Sequence, residues 1–265
     1  MQKGFLQGIS GCIEHTFSLQ ELLKDAFRQH REIVIAWIDL ANAYGSLMHN
    51  LIQFALEWYH VPLKIREIIF NYYERLCAKV ITKDWSTDFF PYDIGVFQGC
   101  VMSTILFDSV FNLLLDFIKP LDKLGYKMKN PADVSCMRKA YADDLTVISN
   151  RPDRLQAILD QISVWLDWSR TMKAKPKKCR ALAAKVFNSD EQICLWEAHS
   201  STAYSTFDPW LIMAGQRIHA IGPLELEQEE SFKCLGRVIT YDLKEHKQKA
   251  LVERSLITDY KSSTR

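Results

Sequence analysis

The chain has 265 residues, 48% of them hydrophobic and 25% charged, enough to bury a sizeable core as one large domain or two small ones. Lys and Arg total 33 against 32 Asp and Glu, a formal charge of +1, which excludes a uniformly basic nucleic-acid binder and leaves any basic footprint local. Seven scattered cysteines without a CxxC pair fit a reducing compartment better than a disulfide framework, and the lone CxxH of Cys12 and His15 has no second pair at zinc-finger distance.

The opening MQKGFLQGISGCIEH has no charged stretch ahead of an apolar one and so reads as no signal peptide. Ser18 to Glu21 has the pattern of a capping box, and Leu19, Leu22, Leu23, Ala26 and Phe27 follow helical spacing, which predicts a helix over 18–29. Ile33 to Leu40 is a β-branched apolar run with Asp39 near its end, a buried strand finishing on an acid. Helical patterns return over 50–58 and, after Pro62, over 63–76, where Ile65, Ile68, Ile69, Tyr72 and Tyr73 share a face expected to pack inward.

Residues 78–82 and 88–92 pair as a predicted hairpin leading into Gly95 to Ser103. Ser103 is expected to cap a central helix reaching about Lys119, whose longest apolar run, Ile105 to Ile118, is interrupted by Asp108, Asn112 and Asp116 and so reads as no membrane span. Two strands are predicted within 136–149 and a helix from Pro152. Residues 172–185 hold six basic residues and no acid, the local footprint that the bulk charge conceals. Short strands and loops are expected over 186–230, a tight hairpin at 232–240, and a polar helix from about Leu243. With neither leader nor span, the expected location is intracellular, nucleus or cytoplasm.

Inside the strand pair stands Ala140-Tyr141-Ala142-Asp143-Asp144-Leu145. Adjacent carboxylates repel, and burying either without compensation costs several kcal/mol, so they stay solvated or hold a cation. On its own an Asp-Asp pair reads as a solvated turn. Here the flanks are those of interior strands, and Asp39 ends a second strand that can meet the pair across a sheet. Three carboxylates so placed form a hard-oxygen site suited to Mg²⁺, and two ions about 3.5–4 Å apart clamp the attacking and leaving oxygens of a phosphoryl transfer.

The blocks IDLANAY, GVFQGCVMS, AYADD, MKAKPKKC and FKCLGRVI, in this order, resemble the palm of reverse transcriptases, above all those of non-LTR (LINE-type) retrotransposons. The resemblance implies an α+β fold: a small antiparallel sheet carrying Asp39, Asp143 and Asp144, backed by the helices near 50–76, 103–119 and 153–169. It implies an RNA-directed DNA polymerase core that joins dNTPs to a primer 3′-OH on an RNA template, with two Mg²⁺ ions, or Mn²⁺ in their place, held by Asp39, the Leu40 carbonyl, Asp143 and Asp144.

By the same resemblance Tyr44 lies under the sugar of the incoming nucleotide and excludes a 2′-OH, Gln98 and Gly99 pack against nucleotide and template, Lys178 meets the triphosphate, and Leu235-Gly236 forms the primer grip. Each has a plainer alternative: a core aromatic at Tyr44, a loop at Gln98, a solvated basic face at Lys178, a structural hairpin at Leu235. The implied layout is partial fingers and palm helices over about 1–35 and 50–95, palm over 33–49 and 95–240, and the start of a thumb over 241–265. Upstream fingers strands and most of the thumb have no counterpart in the sequence, so the rival reading is an inactive retroelement-derived fragment with residual nucleic-acid binding. An RNA-dependent RNA polymerase palm is a third reading, disfavoured by Tyr44.

Overall fold

A computed structural model describes residues 2–4, 8, 11–129, 135–186, 193–195, 211–220, 232–234 and 237–239. In chain order its elements are α1 (Gly11–Arg28), β1 (Ile33–Ile38), α2 (His49–Trp58), α3 (Leu63–Glu74), β2 (Cys77–Ala78), β3 (Phe90–Pro91), α4 (Val101–Ile118), β4 (Tyr126–Lys127), β5 (Ser135–Cys136), β6 (Arg138–Tyr141), β7 (Asp144–Ser149) and α5 (Pro152–Ser169). Then follow β8 (Arg180–Val186), β9 (Ile193–Leu195), β10 (Ile212–Met213), β11 (Gln216–Arg217), β12 (His219–Ala220), β13 (Phe232–Cys234) and β14 (Arg237–Ile239).

The central sheet runs β12-β8-β1-β7-β6, with β9 added to β8, and every pairing in it is antiparallel except β12 on β8. β1 lies in the middle because its sequence, IVIAWI, is apolar on both faces, and all six residues are buried. Alternation divides them between two cores. Val34, Ala36 and Ile38 pack with α2, α4 and α5 through Leu51, Ile52, Phe107, Phe111, Ile158 and Ile162. Ile33, Ile35 and Trp37 pack with α1 through Leu19, Leu22, Leu23 and Ala26. The sheet is therefore covered on both faces, an arrangement of mixed helices and antiparallel sheet that fits an α+β polymerase palm, with α1 as a layer beyond the three expected helix groups.

Three local expectations change. α1 begins at Gly11 rather than Ser18, because its buried stripe continues back through His15 and Thr16, and the Thr16 hydroxyl donates to the Cys12 and Ile13 carbonyls at 2.9 and 3.0 Å. Ser18 thus sits mid-helix, where the backbone donors a capping box would serve are already bonded. α3 turns only one edge of its shared face inward: Tyr73 is buried and Ile69 packs half-buried against the core, while Ile65 and Ile68 are 48% and 69% exposed. α4 starts at Val101 with Cys100 in the cap position, and Ser103 lies buried in its first turn, with its N–H donating to the Cys100 carbonyl at 3.1 Å.

Among the described residues, Val101–Leu124 is long and apolar enough to span a bilayer by length and composition alone, but Phe107, Phe111, Leu114 and Ile118 are fully buried in the core. The 78–92 hairpin is present in shortened form, β2 on β3 with a further bridge between Ile81 and Ser86. β13 pairs with β14 as expected, whereas Leu235, Gly236 and the helix expected from Leu243 lie outside the described residues.

Candidate active site

The antiparallel register of β1 and β7 runs from Val34 opposite Ser149 to Ile38 opposite Leu145. Carried one residue further, it sets Asp39 opposite Asp144. Both lie on the α1 side by alternation, since Ile35, Trp37 and Ile148 pack with α1 while Leu145 and Val147 face the other core. β6 and β7 pair Tyr141 with Asp144, so Ala142 and Asp143 form a two-residue turn. Ala142 stands at φ 51°, a left-handed conformation that costs a non-glycine residue about 1 kcal/mol. The turn therefore dispenses with the usual hairpin glycine by holding an alanine under strain, and it places Asp143 at the sheet end beside Asp39 and Asp144.

The three acids feel one another. Burial raises the Asp143 carboxyl above its ordinary value, and the Asp39 charge raises it further. Asp144 is pushed up to about 6, first by burial and then by the charges of Asp143 and Asp39, although its outer side is open to solvent. Among the described residues Asp39 Oδ2 is buried without a hydrogen-bond partner, with Lys178 Nζ 4.0 Å away.

The basic segment reaches this position through the backbone. Lys175 N–H donates to the Asp39 carbonyl at 2.8 Å, Ala41 N–H donates to the Lys173 carbonyl at 2.8 Å, and Leu40 bridges Ala174 between them. Leu40 is thus a non-hydrogen-bonded partner in that ladder, and its own carbonyl takes no part in it. Lys178 lies near Asp39 alone of the three acids and remains largely exposed.

The Tyr44 ring stacks on Phe107, centroids 4.8 Å apart and 7° from parallel, while its hydroxyl is buried without a hydrogen-bond partner among the described residues. Burial, then the charges of Asp108 and Asp143, push that hydroxyl up to about 12. Gln98 and Gly99 occupy an exposed turn closed by Cys100 N–H to the Phe97 carbonyl at 3.4 Å. Gly99 has φ 90°, and among the described residues no atom beyond its chain neighbours lies within 4 Å of where its Cβ would stand, so backbone conformation rather than crowding favours glycine there.

Two site neighbours escape the sequence reading. Asp108 sits within the apolar run of α4; burial pushes its carboxyl up to about 7, and its Oδ1 has no hydrogen-bond partner among the described residues. Its only sequence signal is an acid in an otherwise apolar helix. Gln2, buried, bonds the Ala142 peptide groups from 140 positions away, which no local pattern announces.

Among the described residues no three His, Cys, Asp or Glu side chains close around a single point fit for an ion. The donor chemistry still fits a hard divalent cation: the Asp39 charge raises the Asp143 and Asp144 carboxyls, and Asp39 Oδ2 is buried with no hydrogen-bond partner among the described residues. An open set of this kind suits a cation that completes its shell with water and substrate phosphates.

A sequence profile described as "Reverse transcriptase (RNA-dependent DNA polymerase)" matches residues 4–239. The chain belongs to the reverse transcriptase family. It is 29% identical over 198 residues to the retrovirus-related Pol polyprotein of the type-2 retrotransposable element R2DM of Drosophila melanogaster, a match covering 70% of this chain and 18% of the relative. It is 24% identical over 271 aligned residues to the Pol polyprotein of the type-1 retrotransposable element R2 of Nasonia vitripennis, covering 97% of this chain and 25% of the relative. Within the family it is thus a reverse transcriptase domain of the non-LTR kind, and it spans a quarter or less of the curated relatives it matches. Apo telomerase from Candida tropicalis, truncated of its C-terminal domain, shares the fold with a TM-score of 0.52 at 15% identity, over 72% of this chain and 38% of that one.

Proposed function

We propose that this domain extends a primer 3′-OH with dNTPs on an RNA template. The observation that carries the reading is the meeting of Asp39, Asp143 and Asp144 at one sheet end, with Lys178 beside Asp39, whose Oδ2 has no hydrogen-bond partner among the described residues. Asp39, the Leu40 carbonyl, Asp143 and Asp144 are the groups that would hold Mg²⁺ or Mn²⁺. Bound there, the ions supply Lewis acidity toward the 3′-OH and the α-phosphate.

The chain's own residues do the rest. Lys178, exposed and next to Asp39, offers its ammonium to the triphosphate and balances charge on the departing pyrophosphate. The Tyr44 ring, held flat against Phe107, cannot yield to a 2′-OH and so selects deoxyribose by exclusion. Gln98 and Gly99 border the nucleotide from an open turn. The RNA backbone follows Lys173, Lys175 and Lys177, and Leu235-Gly236, between β13 and β14 in the sequence, holds the primer end.

Primer extension on an RNA template with Mg²⁺ or Mn²⁺ tests the reading against Asp143→Asn. The expected outcome is extension by the wild type and at least a ~100-fold loss in the variant, beyond what outer-shell substitutions at metal sites cost. Extension that survives the substitution overturns the metal-site assignment. No extension by the wild type instead supports an inactive retroelement-derived chain, and equal use of rNTPs supports an RNA polymerase palm.

A further inference from the structure

We propose that Gln2 is a positioning residue for Asp143, its side-chain amide clamping the strained turn that presents this acid; the inference deepens the polymerase reading above and rests on it. Gln2 is 8% exposed, and it grips Ala142 from both sides. Its Nε2 donates to the Ala142 carbonyl at 2.9 Å, and its Oε1 accepts from the Ala142 N–H at 2.9 Å. The same oxygen accepts from the Lys3 and Gly4 N–H groups at 3.0 and 2.8 Å. Three N–H donors meet Oε1, so a flipped amide would set its NH₂ against all three, and the orientation is fixed by chemistry alone.

What the amide grips is the weak point of the hairpin. Ala142 is the one residue of the turn at positive φ, and its carbonyl belongs to the peptide plane that leads into Asp143. A turn held in a left-handed conformation without glycine relaxes when its partners leave, and the first group to move is the acid that follows.

The segment carrying Gln2 is itself anchored. Gln2 bridges Ala140, Lys3 N–H donates to the Ala140 carbonyl at 2.9 Å, and His15 Nε2 lies 2.8 Å from that same oxygen. The carbonyl accepts only, so His15 presents N–H there; burial lowers its pKa to about 4 and keeps the ring neutral at ordinary pH. A Cβ on Gly4 would collide with the Ala142 nitrogen, so the backbone passes as close as glycine allows.

The test compares the full chain with Gln2→Met, which keeps length and loses both bonds, and Gln2→Glu, which keeps the acceptor and loses the donor to Ala142. Amide hydrogen exchange and Mn²⁺ affinity, read by electron paramagnetic resonance, are followed in each. In Gln2→Met the Ala142 amide is expected to exchange about 10-fold faster, a hydrogen bond's worth, with Ile35 and Ala36 of β1 unchanged. Mn²⁺ affinity is expected to fall about 10-fold, as for outer-shell partners of metal ligands. Gln2→Glu is expected to keep the Ala142 protection and still lose Mn²⁺ affinity.

Exchange and Mn²⁺ affinity both within 2-fold of wild type in Gln2→Met overturn the proposal, as does loss of protection at Ala142 and β1 together, which would make Gln2 a general fold contact. If Gln2→Met does not fold, undiminished Mn²⁺ affinity in Gln2→Glu overturns it. Absence of primer extension in the wild type would sink the polymerase reading and leave both of these measurements able to decide on Gln2.

Discussion

Asp144 carries the clearest pH signature in the molecule. Its carboxyl is raised from 3.8 to about 6, by burial first and by Asp143 and Asp39 next. A raised carboxyl opposes folding once ionised, so its contribution to stability is complete below its ordinary value and is lost as pH climbs through about 6. Asparagine removes the titration. Without divalent cations, Asp144→Asn is expected to match the wild type at pH 4 and to be more stable at pH 7. The gain is on the order of 1 kcal/mol, well below the undiscounted shift because solvent reaches this side chain and screens it. Thermal melts in a chelator at the two pH values check this, and a variant that melts below wild type at pH 7 refutes it. Tyr44 makes a second test at the same scale. Its hydroxyl has no hydrogen-bond partner among the described residues while its ring stacks on Phe107, so Tyr44→Phe is expected to leave sugar discrimination intact. Tyr44→Ala is expected to relax exclusion of rNTPs by about 10-fold or more, measured as the ratio of kcat/KM for dNTP and rNTP.

Among the elements, α3 and α4 separate what periodicity says from what packing does. Both carry apolar faces, but α4 buries Phe111 completely while α3 leaves Ile68 at 69% exposure. Phe111→Ala is expected to cost 3–5 kcal/mol, roughly a core aromatic's worth, and Ile68→Ala within about 0.5 kcal/mol. Urea melts decide, and a costly Ile68→Ala would mean that this edge of α3 packs after all. Strand and helix identities were legible wherever apolar spacing ran long, as in β1, α4 and α5. Ends were not, because a start signal such as Ser18 to Glu21 is local and loses to a buried stripe that extends past it through His15 and Thr16. At the site, Asp39, Asp143 and Asp144 were legible as charges in apolar strands. That the basic segment pairs with the end of β1 at Asp39 was not legible, because the ladder from Lys173 to Lys175 joins residues far apart in the chain. Gln2 was not legible at all, since its partners lie 140 residues away. The inward role of the α3 face was misread because helical periodicity reports amphipathicity and not which neighbour is present to cover it.

Over the whole molecule the formal charge is +1, so long-range attraction of a nucleic acid cannot come from the net field. Under the proposed function it falls to the acid-free segment, where Lys173 and Lys175 join the ladder beside Asp39 and Lys178 stands at its carboxylate. If the template backbone runs along this segment, replacing Lys173, Lys175 and Lys177 together by alanine removes up to three phosphate contacts. The slope of log affinity against log salt is then expected to become shallower by about 2, at roughly 0.7 per contact for a single strand. Such contacts read charge and not sequence, so affinity should fall by the same factor for unrelated RNAs. Fluorescence anisotropy with two single-stranded RNAs of different sequence, across a salt series, measures both quantities. An unchanged slope would place the template elsewhere, and a loss confined to one RNA would mean that these lysines read bases rather than phosphates.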